Sequence, residues 1–279
     1  MKRFLSITKT SFYLVTFLKH SFSNQLFSSV INLVFTITLL TSVNTIAKAQ
    51  TVENPPQELV ETISEIEKAA NEQNLEELLE YYSQDFTNND GLTYTALAEA
   101  LKQIWDNYPQ LSYSTQIKSW EQVGDELVAN TVTEIRGTRR NQGRVERIDS
   151  TLTSRQYFQE QKLVRQEIIS EETQRTYGIN PPKVRVVVPE QVRVGETYNF
   201  DVIATEPLNN ALLLGEAIEE RTGSDRYINP TTIDLKPLPA GGIYKVVTAP
   251  RLADSHWLSA ILVRGDGITM VTRRVNISR

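Results

Sequence analysis

Four long segments in which polar and apolar residues alternate dominate the middle of this 279-residue chain. Alternation over such lengths predicts β-strands with one face buried. The segments are residues 111–123, 126–136, 145–158 and 162–170. The turns between them are Gly124-Asp125, Asn141-Gln142-Gly143 and Gln159-Glu160-Gln161. Short turns join antiparallel neighbours, so we expect a meander, and its long strands should make the sheet curve strongly.

Three amphipathic helices are predicted before these strands, the first from Gln57. The second starts at the N-cap Asn74, with Glu77 in the capping-box position, and its apolar face extends to Tyr82. The third follows a turn at residues 87–91 and ends before Pro109, because proline cannot continue a helix. Helices followed by an antiparallel sheet predict the α+β fold class.

A resemblance to a known family lies in the stretch Leu75-Glu76-Glu77-Leu78-Leu79-Glu80-Tyr81-Tyr82-Ser83-Gln84-Asp85-Phe86. This stretch resembles the second helix and the following Asp-Phe of the nuclear transport factor 2-like superfamily, which includes SnoaL-like proteins. The segment from Leu163 to Ile169 is similar to its closing strand. The resemblance implies a cone-shaped domain over residues 57–172, with three helices on a curved antiparallel sheet. It also implies a homodimer formed through the exposed face of the sheet.

Cones of this superfamily usually enclose an apolar pocket, and this chain has seven aromatic candidates to line it. They are Tyr81, Tyr82, Phe86, Trp105, Tyr108, Trp120 and Tyr157. Such a set suits a small apolar or ring-containing ligand. The alternative is that these side chains fill the core, as aromatic residues usually do.

Enzymes of the superfamily (isomerases, dehydratases and polyketide cyclases) use an Asp or a His-Asp pair inside the cone. The only histidines, His20 and His256, lie outside residues 57–172, which excludes that pair. A single carboxylate base remains the alternative, and its candidates are Asp85, Glu134 and Asp149. The main hypothesis is a non-enzymatic binding or assembly protein of the cell envelope, with no metal and no cofactor.

Five arginines cluster around the turn between the second and third long strands: Arg136, Arg139, Arg140, Arg144 and Arg147. The chain as a whole is acidic, with a formal net charge of −5. This hairpin is therefore the candidate site for an anionic polymer, a lipid head group or an acidic partner. The alternative is a solvated hairpin whose charge prevents edge-to-edge aggregation. The acidic balance argues against nucleic acid as a partner.

The first 49 residues have the pattern of a secretory signal peptide. Basic residues precede an apolar run at residues 30–40, and Ala47-Lys48-Ala49 gives the small-residue pattern of a cleavage site. The run is shorter than the roughly 20 residues that a membrane span needs. We therefore expect export to the periplasm or the outside of a bacterial cell, with a retained anchor as the alternative. Residues 50–56 are a predicted linker.

Short strand-like segments fill the chain after Pro181-Pro182. Residues 173–181 are polar and are predicted to be a linker. About seven short strands in residues 182–279 predict an immunoglobulin-like β-sandwich, and residues 211–220 are either a helical insertion or a further strand. His256 has no partner at metal-binding spacing and is interpreted as structural. An envelope protein is a candidate partner for such a module.

Overall fold

The computed structural model describes residues 54–141, 143–207, 211–224, 234–238 and 241–279. The predicted signal peptide, residues 1–49, and most of the predicted linker after it lie outside the described residues. Within the described ranges, no helix is long and apolar enough to cross a membrane.

Helices form the first part of the described chain: α1 (Gln57–Glu72), α2 (Leu75–Glu80) and α3 (Tyr94–Asn107). Helix α2 begins where the sequence indicates, because the Asn74 side chain accepts a hydrogen bond from the backbone N–H of Glu77. Thr93 caps α3 in the same way, accepting from the N–H of Ala96. Helix α1 buries Leu59 and Ile63 on one face, as their helical spacing predicts.

A short strand, β1 (Tyr82–Asn88), follows α2 directly. It pairs in parallel with β5 (Lys162–Gly178), with Tyr82 opposite Leu163 and Asn88 opposite Gln166. The prediction that Tyr82 belongs to the helix and that residues 87–88 form a turn is therefore wrong. Local spacing favours a helix here, but pairing with a strand 80 residues further along overrides it.

The long antiparallel meander consists of β2 (Leu111–Val123), β3 (Glu126–Asn141), β4 (Arg144–Gln159) and β5. At its last turn, Glu160 and Gln161 both have positive φ (49° and 59°), as a two-residue type I′ turn requires. Strand β3 extends beyond its predicted end at residue 136. It continues because Arg139 faces Glu146 across the pair and their opposite charges attract.

Strand β5 continues through most of the predicted linker, so that prediction is wrong for residues 173–178. This second half of β5 pairs with β13 (Gly267–Ser278), Glu172 facing Arg273 and Gly178 facing Gly267. Polar residues are stable in a strand that is paired on both edges, because their backbone groups are satisfied. The helix-bearing part and the C-terminal part therefore share one ten-stranded sheet, in the order β10-β9-β12-β13-β5-β4-β3-β2, with β1 and β7 paired beside it.

The remaining strands are β6 (Val184–Val187), β7 (Gln191–Arg193), β8 (Thr197–Ala204), β9 (Leu214–Arg221), β10 (Lys236–Pro237), β11 (Gly242–Thr248) and β12 (Asp254–Arg264). Strands β11, β8 and β6 form a separate three-stranded sheet. Its buried side chains, including Phe200 and Val202, pack with Leu258 and Leu262 of the large sheet. The segment at residues 211–220 is a strand from Leu214 onward, not a helix.

Two further core clusters fill the space between the helices and the large sheet. One contains Ala69, Leu78, Trp105, Tyr108, Leu111 and Ile148. The other contains Leu59, Ile63, Phe86, Ala129, Phe158 and Leu163. The helix-facing side of the meander therefore provides the apolar surface on which all of this part of the chain is packed.

A buried ion pair joins the loop after β1 to strand β13. The Arg274 guanidinium donates to both carboxylate oxygens of Asp90, over 2.9 and 2.5 Å. Glu171 of β5 lies 3.7 Å from the same guanidinium and accepts a hydrogen bond from Trp257 Nε1 at 2.8 Å. This network connects parts of the chain that are far apart in sequence.

Candidate functional site

The aromatic residues proposed for a pocket pack mainly in the core clusters. Phe86 is buried, and its ring contacts that of Tyr82 edge to face, with centroids 5.0 Å apart. Trp105 is buried and donates from Nε1 to Tyr113 Oη over 3.0 Å. Half-buried Trp120 packs against the cluster that contains Phe86. These contacts give the rings apolar neighbours within the protein itself.

Two of the seven aromatic residues lie elsewhere. Tyr157 is next to Phe158, which packs under the helices, so strand geometry directs Tyr157 to the opposite face of the sheet. There its ring lies under the guanidinium of Arg165, 3.4 Å from the ring centroid. Half-buried Tyr81 is the residue at which α2 ends. The prediction that Tyr157 lines the interior of a cone is therefore wrong.

The three candidate carboxylate bases all lie at the surface. Asp85 and Asp149 are exposed. The Glu134 side chain is 43% exposed and forms an ion pair with Arg136 at 2.7 Å. A general base in a cone needs a buried site among apolar side chains, which none of these carboxylates has.

A buried carboxylate that the sequence analysis missed lies at the end of the meander. Glu146 accepts a hydrogen bond from Tyr108 Oη at 2.6 Å and pairs with Arg139 Nε at 2.7 Å. The Arg175 guanidinium contacts the same carboxylate oxygen, Oε1, that accepts from Tyr108. Glu146 lies two residues before the buried Ile148 on the same face of β4, and this spacing to an apolar residue is the one sequence signal that it points inward.

The charge state of Glu146 follows from this environment. Burial by itself raises the pKa of its carboxyl group, but Arg175 and the hydrogen bonds from Tyr108 and Arg139 outweigh burial and hold the pKa below its usual range. Burial also raises the pKa of the Tyr108 hydroxyl to about 12. Glu146 is therefore an anion fixed by two cations, which makes it a poor proton acceptor.

A surface groove of about 800 Å³ opens beside this cluster. We call it the arginine groove; its lining residues are Asp106, Asn107, Pro109, Gln110, Thr138, Arg139, Arg140, Val145 and Arg147. Arg139 is held in place by Glu146 and by Asn107 Oδ1, which accepts from Nη1 at 3.0 Å. Arg140 and Arg147 are exposed, and within the described ranges neither has a carboxylate at ion-pair distance.

Strand lengths explain why the groove forms at this place. Strand β2 begins at Leu111, opposite Gly137, so the last four residues of β3 continue past it. The segment between α3 and β2, which contains Pro109, lies beside this free stretch of β3. The groove is thus bounded by a helix end on one side and by the tip of an arginine-rich hairpin on the other.

The structure separates the five arginines of the predicted cluster. Arg136 pairs with Glu134, and its Nε lies 3.8 Å from Asp149, which leaves it away from the groove. The Arg144 guanidinium lies 5.8 Å from the centroid of the Tyr177 ring. Only Arg139, Arg140 and Arg147 line the arginine groove. Among the described side chains, no group of three or more His, Asp and Glu residues is placed to hold a metal ion.

One protein family matches the C-terminal part of the chain. The family described as Domain of unknown function (DUF8623) matches residues 179–278. The match begins directly after β5 ends at Gly178, so it covers the C-terminal strands and not the helices. No curated protein matches the sequence at a significant level.

Several solved structures are similar to part of this chain. Bd1075 of Bdellovibrio bacteriovorus is 18% identical over 40% of this chain and 39% of its own length, with a TM-score of 0.30. A protein described as a SnoaL-like polyketide cyclase, from Shewanella denitrificans, is 17% identical over 40% of this chain and 89% of its own, with a TM-score of 0.31. One described as a scytalone dehydratase, from Novosphingobium aromaticivorans, is 15% identical over 39% and 79%, with a TM-score of 0.33. The chain spans less than half of Bd1075. TM-scores this low do not establish a shared fold. The α+β class is therefore assigned from the helices and the mostly antiparallel strands described above.

Proposed function

We propose that this protein is an exported, non-enzymatic binding protein that holds an anionic ligand in the arginine groove. The observation that carries the proposal is the pair Arg140 and Arg147, which line the groove without an acidic partner in the described part of the chain. An isomerase, dehydratase or cyclase with a single carboxylate base is the alternative, and it would need a base other than the three surface carboxylates.

The positions of the two arginines favour a ligand with more than one negative charge. Arg147 faces Thr138 across the strand pair, and Arg140 lies two residues further along β3, so the two are diagonal neighbours on one face. Like charges at this spacing repel each other, and a bound anion relieves the repulsion. Arg139, between Thr138 and Arg140 on β3, also lines the groove, and Glu146 fixes the direction of its guanidinium.

Substitution of Arg140 and Arg147 by alanine together is expected to weaken the binding of tripolyphosphate by about tenfold or more, since hydrogen bonds to charged groups are the stronger ones. Isothermal titration calorimetry measures the effect, and added salt should weaken wild-type binding. Oligogalacturonate, tested in parallel, distinguishes a carboxylate ligand from a phosphate ligand. Arg139 is left unchanged because its loss would break a buried ion pair.

The matched control is the double variant Arg185→Ala and Arg193→Ala, which removes the same charge from two exposed positions in the C-terminal strands. It should bind both probes as the wild type does. Equal weakening by the two double variants would mean that only net charge matters. That result, or a wild type that binds neither probe, would contradict the proposal.

We also propose that the two parts of the chain are a nuclear transport factor 2-like cone and an immunoglobulin-like sandwich. The helices packed against the long meander support the first. For the second, β6, β8 and β11 lie in one sheet and β9, β12 and β13 in the other, an arrangement similar to the A-B-E and C-F-G strands of immunoglobulin domains. The family match over residues 179–278 supports a separate origin for this second part.

Export and partners are proposed on the sequence pattern alone. We expect the protein purified from its own host to begin at Gln50 and to form a homodimer, with an envelope protein as a further candidate partner. Native mass spectrometry should then give the mass of two processed chains, and a retained small molecule with an apolar ring would favour a pocket in the cone over the arginine groove. An unprocessed chain would contradict cleavage, and a monomer at micromolar concentration would contradict the dimer.

A further inference from the structure

A second groove, of about 470 Å³, differs in character from the arginine groove. We call it the apolar groove; its lining residues are Arg144, Ala211, Leu212, Leu214, Val263, Arg264, Gly265, Gly267 and Ile268. Leu212 is 65% exposed. Most of the lining residues are apolar or glycine, and the two charged ones are Arg144 and Arg264.

Three of these lining residues, Leu214, Val263 and Ile268, form a row of direct neighbours across three strands. Leu214 of β9 faces Val263 of β12, which faces Ile268 of β13. Ile268 in turn faces Tyr177 of β5. Directly opposed residues lie on the same face of a sheet. The row therefore forms a continuous apolar strip that leads to the Tyr177 ring, beside which the Arg144 guanidinium lies.

The two arginines at this groove have different electrostatic surroundings. Arg264 is mostly buried and lies 3.4 Å from Asp266 and 3.6 Å from Glu206, so its charge is compensated. Arg144 is exposed, and no carboxylate of the described residues lies at ion-pair distance from it. The groove therefore combines an apolar strip with one uncompensated positive charge at its end.

We propose that the apolar groove binds an amphiphilic monoanion, a linear hydrocarbon chain that ends in one carboxylate. The hydrocarbon chain lies along Leu212, Val263 and Ile268, which removes its surface from water. The carboxylate pairs with the Arg144 guanidinium, which presents planar donors that match a carboxylate. The volume lies within the range of small-molecule sites. The site shares no lining residue with the arginine groove, so it is independent of the function proposed above.

Titration of the purified chain with dodecanoate, below its micelle concentration, tests the proposal. The wild type should bind dodecanoate, and Arg144→Ala should weaken this binding by about tenfold or more. Dodecanol has the same hydrocarbon chain without the charge, so the wild type should bind it as weakly as the variant binds dodecanoate. Butanoate should also bind at least about tenfold more weakly, because it buries less hydrocarbon.

Two further variants locate the ligand. Leu212→Glu places a negative charge on an exposed position of the apolar groove, and it should weaken dodecanoate binding without lowering the thermal unfolding temperature. Arg140→Ala, on the arginine groove, should leave dodecanoate binding unchanged. A wild type that does not bind dodecanoate, or equal effects of Arg144→Ala and Arg140→Ala, would overturn the proposal.

Discussion

Replacing Arg274 with methionine is expected to lower the free energy of unfolding by about 3–5 kcal/mol, the usual cost of removing one partner from a buried ion pair. The Arg274 side chain is 0% exposed and that of Asp90 is 1% exposed. Methionine has a similar length and fills much of the space, but it cannot compensate the charge of Asp90. The carboxylate would be left in a place that water does not reach.

The position of the Asp90–Arg274 pair makes the expected loss of unfolding free energy larger than that for a surface ion pair. Asp90 lies in the loop between β1 and α3, whereas Arg274 is in β13, so the pair holds the helix-bearing part against the C-terminal strands. Arg274 also lies over the Trp257 ring, 5.7 Å from its centroid, and Trp257 donates to Glu171. Loss of the guanidinium therefore weakens a network and not a single contact.

Urea denaturation at neutral pH measures the change. Arg221→Met is the matched control, because Arg221 is 66% exposed and its ion-pair partner Asp254 is 3.9 Å away. Its effect should be within about 0.5 kcal/mol. The double variant Asp90→Leu with Arg274→Met should lose less unfolding free energy than the two single variants together, because neither charge of this pair then remains unpaired. A loss for Arg274→Met no greater than that of the control would contradict the burial argument.

Glu171 gives this first prediction a dependence on pH. Burial raises the pKa of its carboxyl group, while Arg274 and the hydrogen bond from Trp257 lower it. Without Arg274 the pKa rises further, and the folded protein then binds a proton that the unfolded chain releases. A raised folded pKa gives stability that is present below the unfolded pKa and lost as pH rises through the folded pKa. The loss of unfolding free energy that Arg274→Met causes should therefore be smaller at about pH 5 than at neutral pH.

Alternation and turn chemistry are enough to predict the long meander, but they do not predict the pairing between strands that are far apart in the sequence. The strands between Leu111 and Gln159 follow from local pattern, since each turn contains a residue suited to positive φ. Strand β1 could not be found in this way, because its stability comes from pairing with β5 and its own spacing suits a helix. The polar end of β5 was misassigned for the same reason, since its partner is β13.

Prediction of the candidate sites was limited by the same dependence on distant contacts. The arginine cluster is visible in the sequence, yet the sequence does not tell which arginines are compensated. Arg136 and Arg139 turn out to be paired, whereas Arg140, Arg144 and Arg147 have no acidic partner within the described ranges. Glu146 looks like one more surface carboxylate until Arg175, 29 residues away, is placed beside it.

Replacing Glu146 with glutamine is expected to lower the free energy of unfolding by about 3–5 kcal/mol at neutral pH. Glutamine keeps the shape and still accepts from Tyr108, but it leaves Arg139 and Arg175 as two cations without an anion. Both arginine side chains are largely buried, so water cannot replace the lost carboxylate. The affinity of this variant for tripolyphosphate should also change, because no carboxylate at position 146 then holds the Arg139 side chain at the edge of the arginine groove.

Acid provides the decisive test of this second prediction. The pKa of Glu146 lies below its usual range, so its contribution to stability is present above the unfolded pKa and is lost as pH falls through the folded pKa. The difference in unfolding free energy between the wild type and Glu146→Gln should therefore shrink when pH is lowered from neutral to about 3. Glu134→Gln, at a surface ion pair, is the control and should change stability by no more than about 0.5 kcal/mol at either pH. A difference that stays constant with pH would mean that glutamine disturbs packing alone and that the charge of Glu146 is not what stabilises the two arginines.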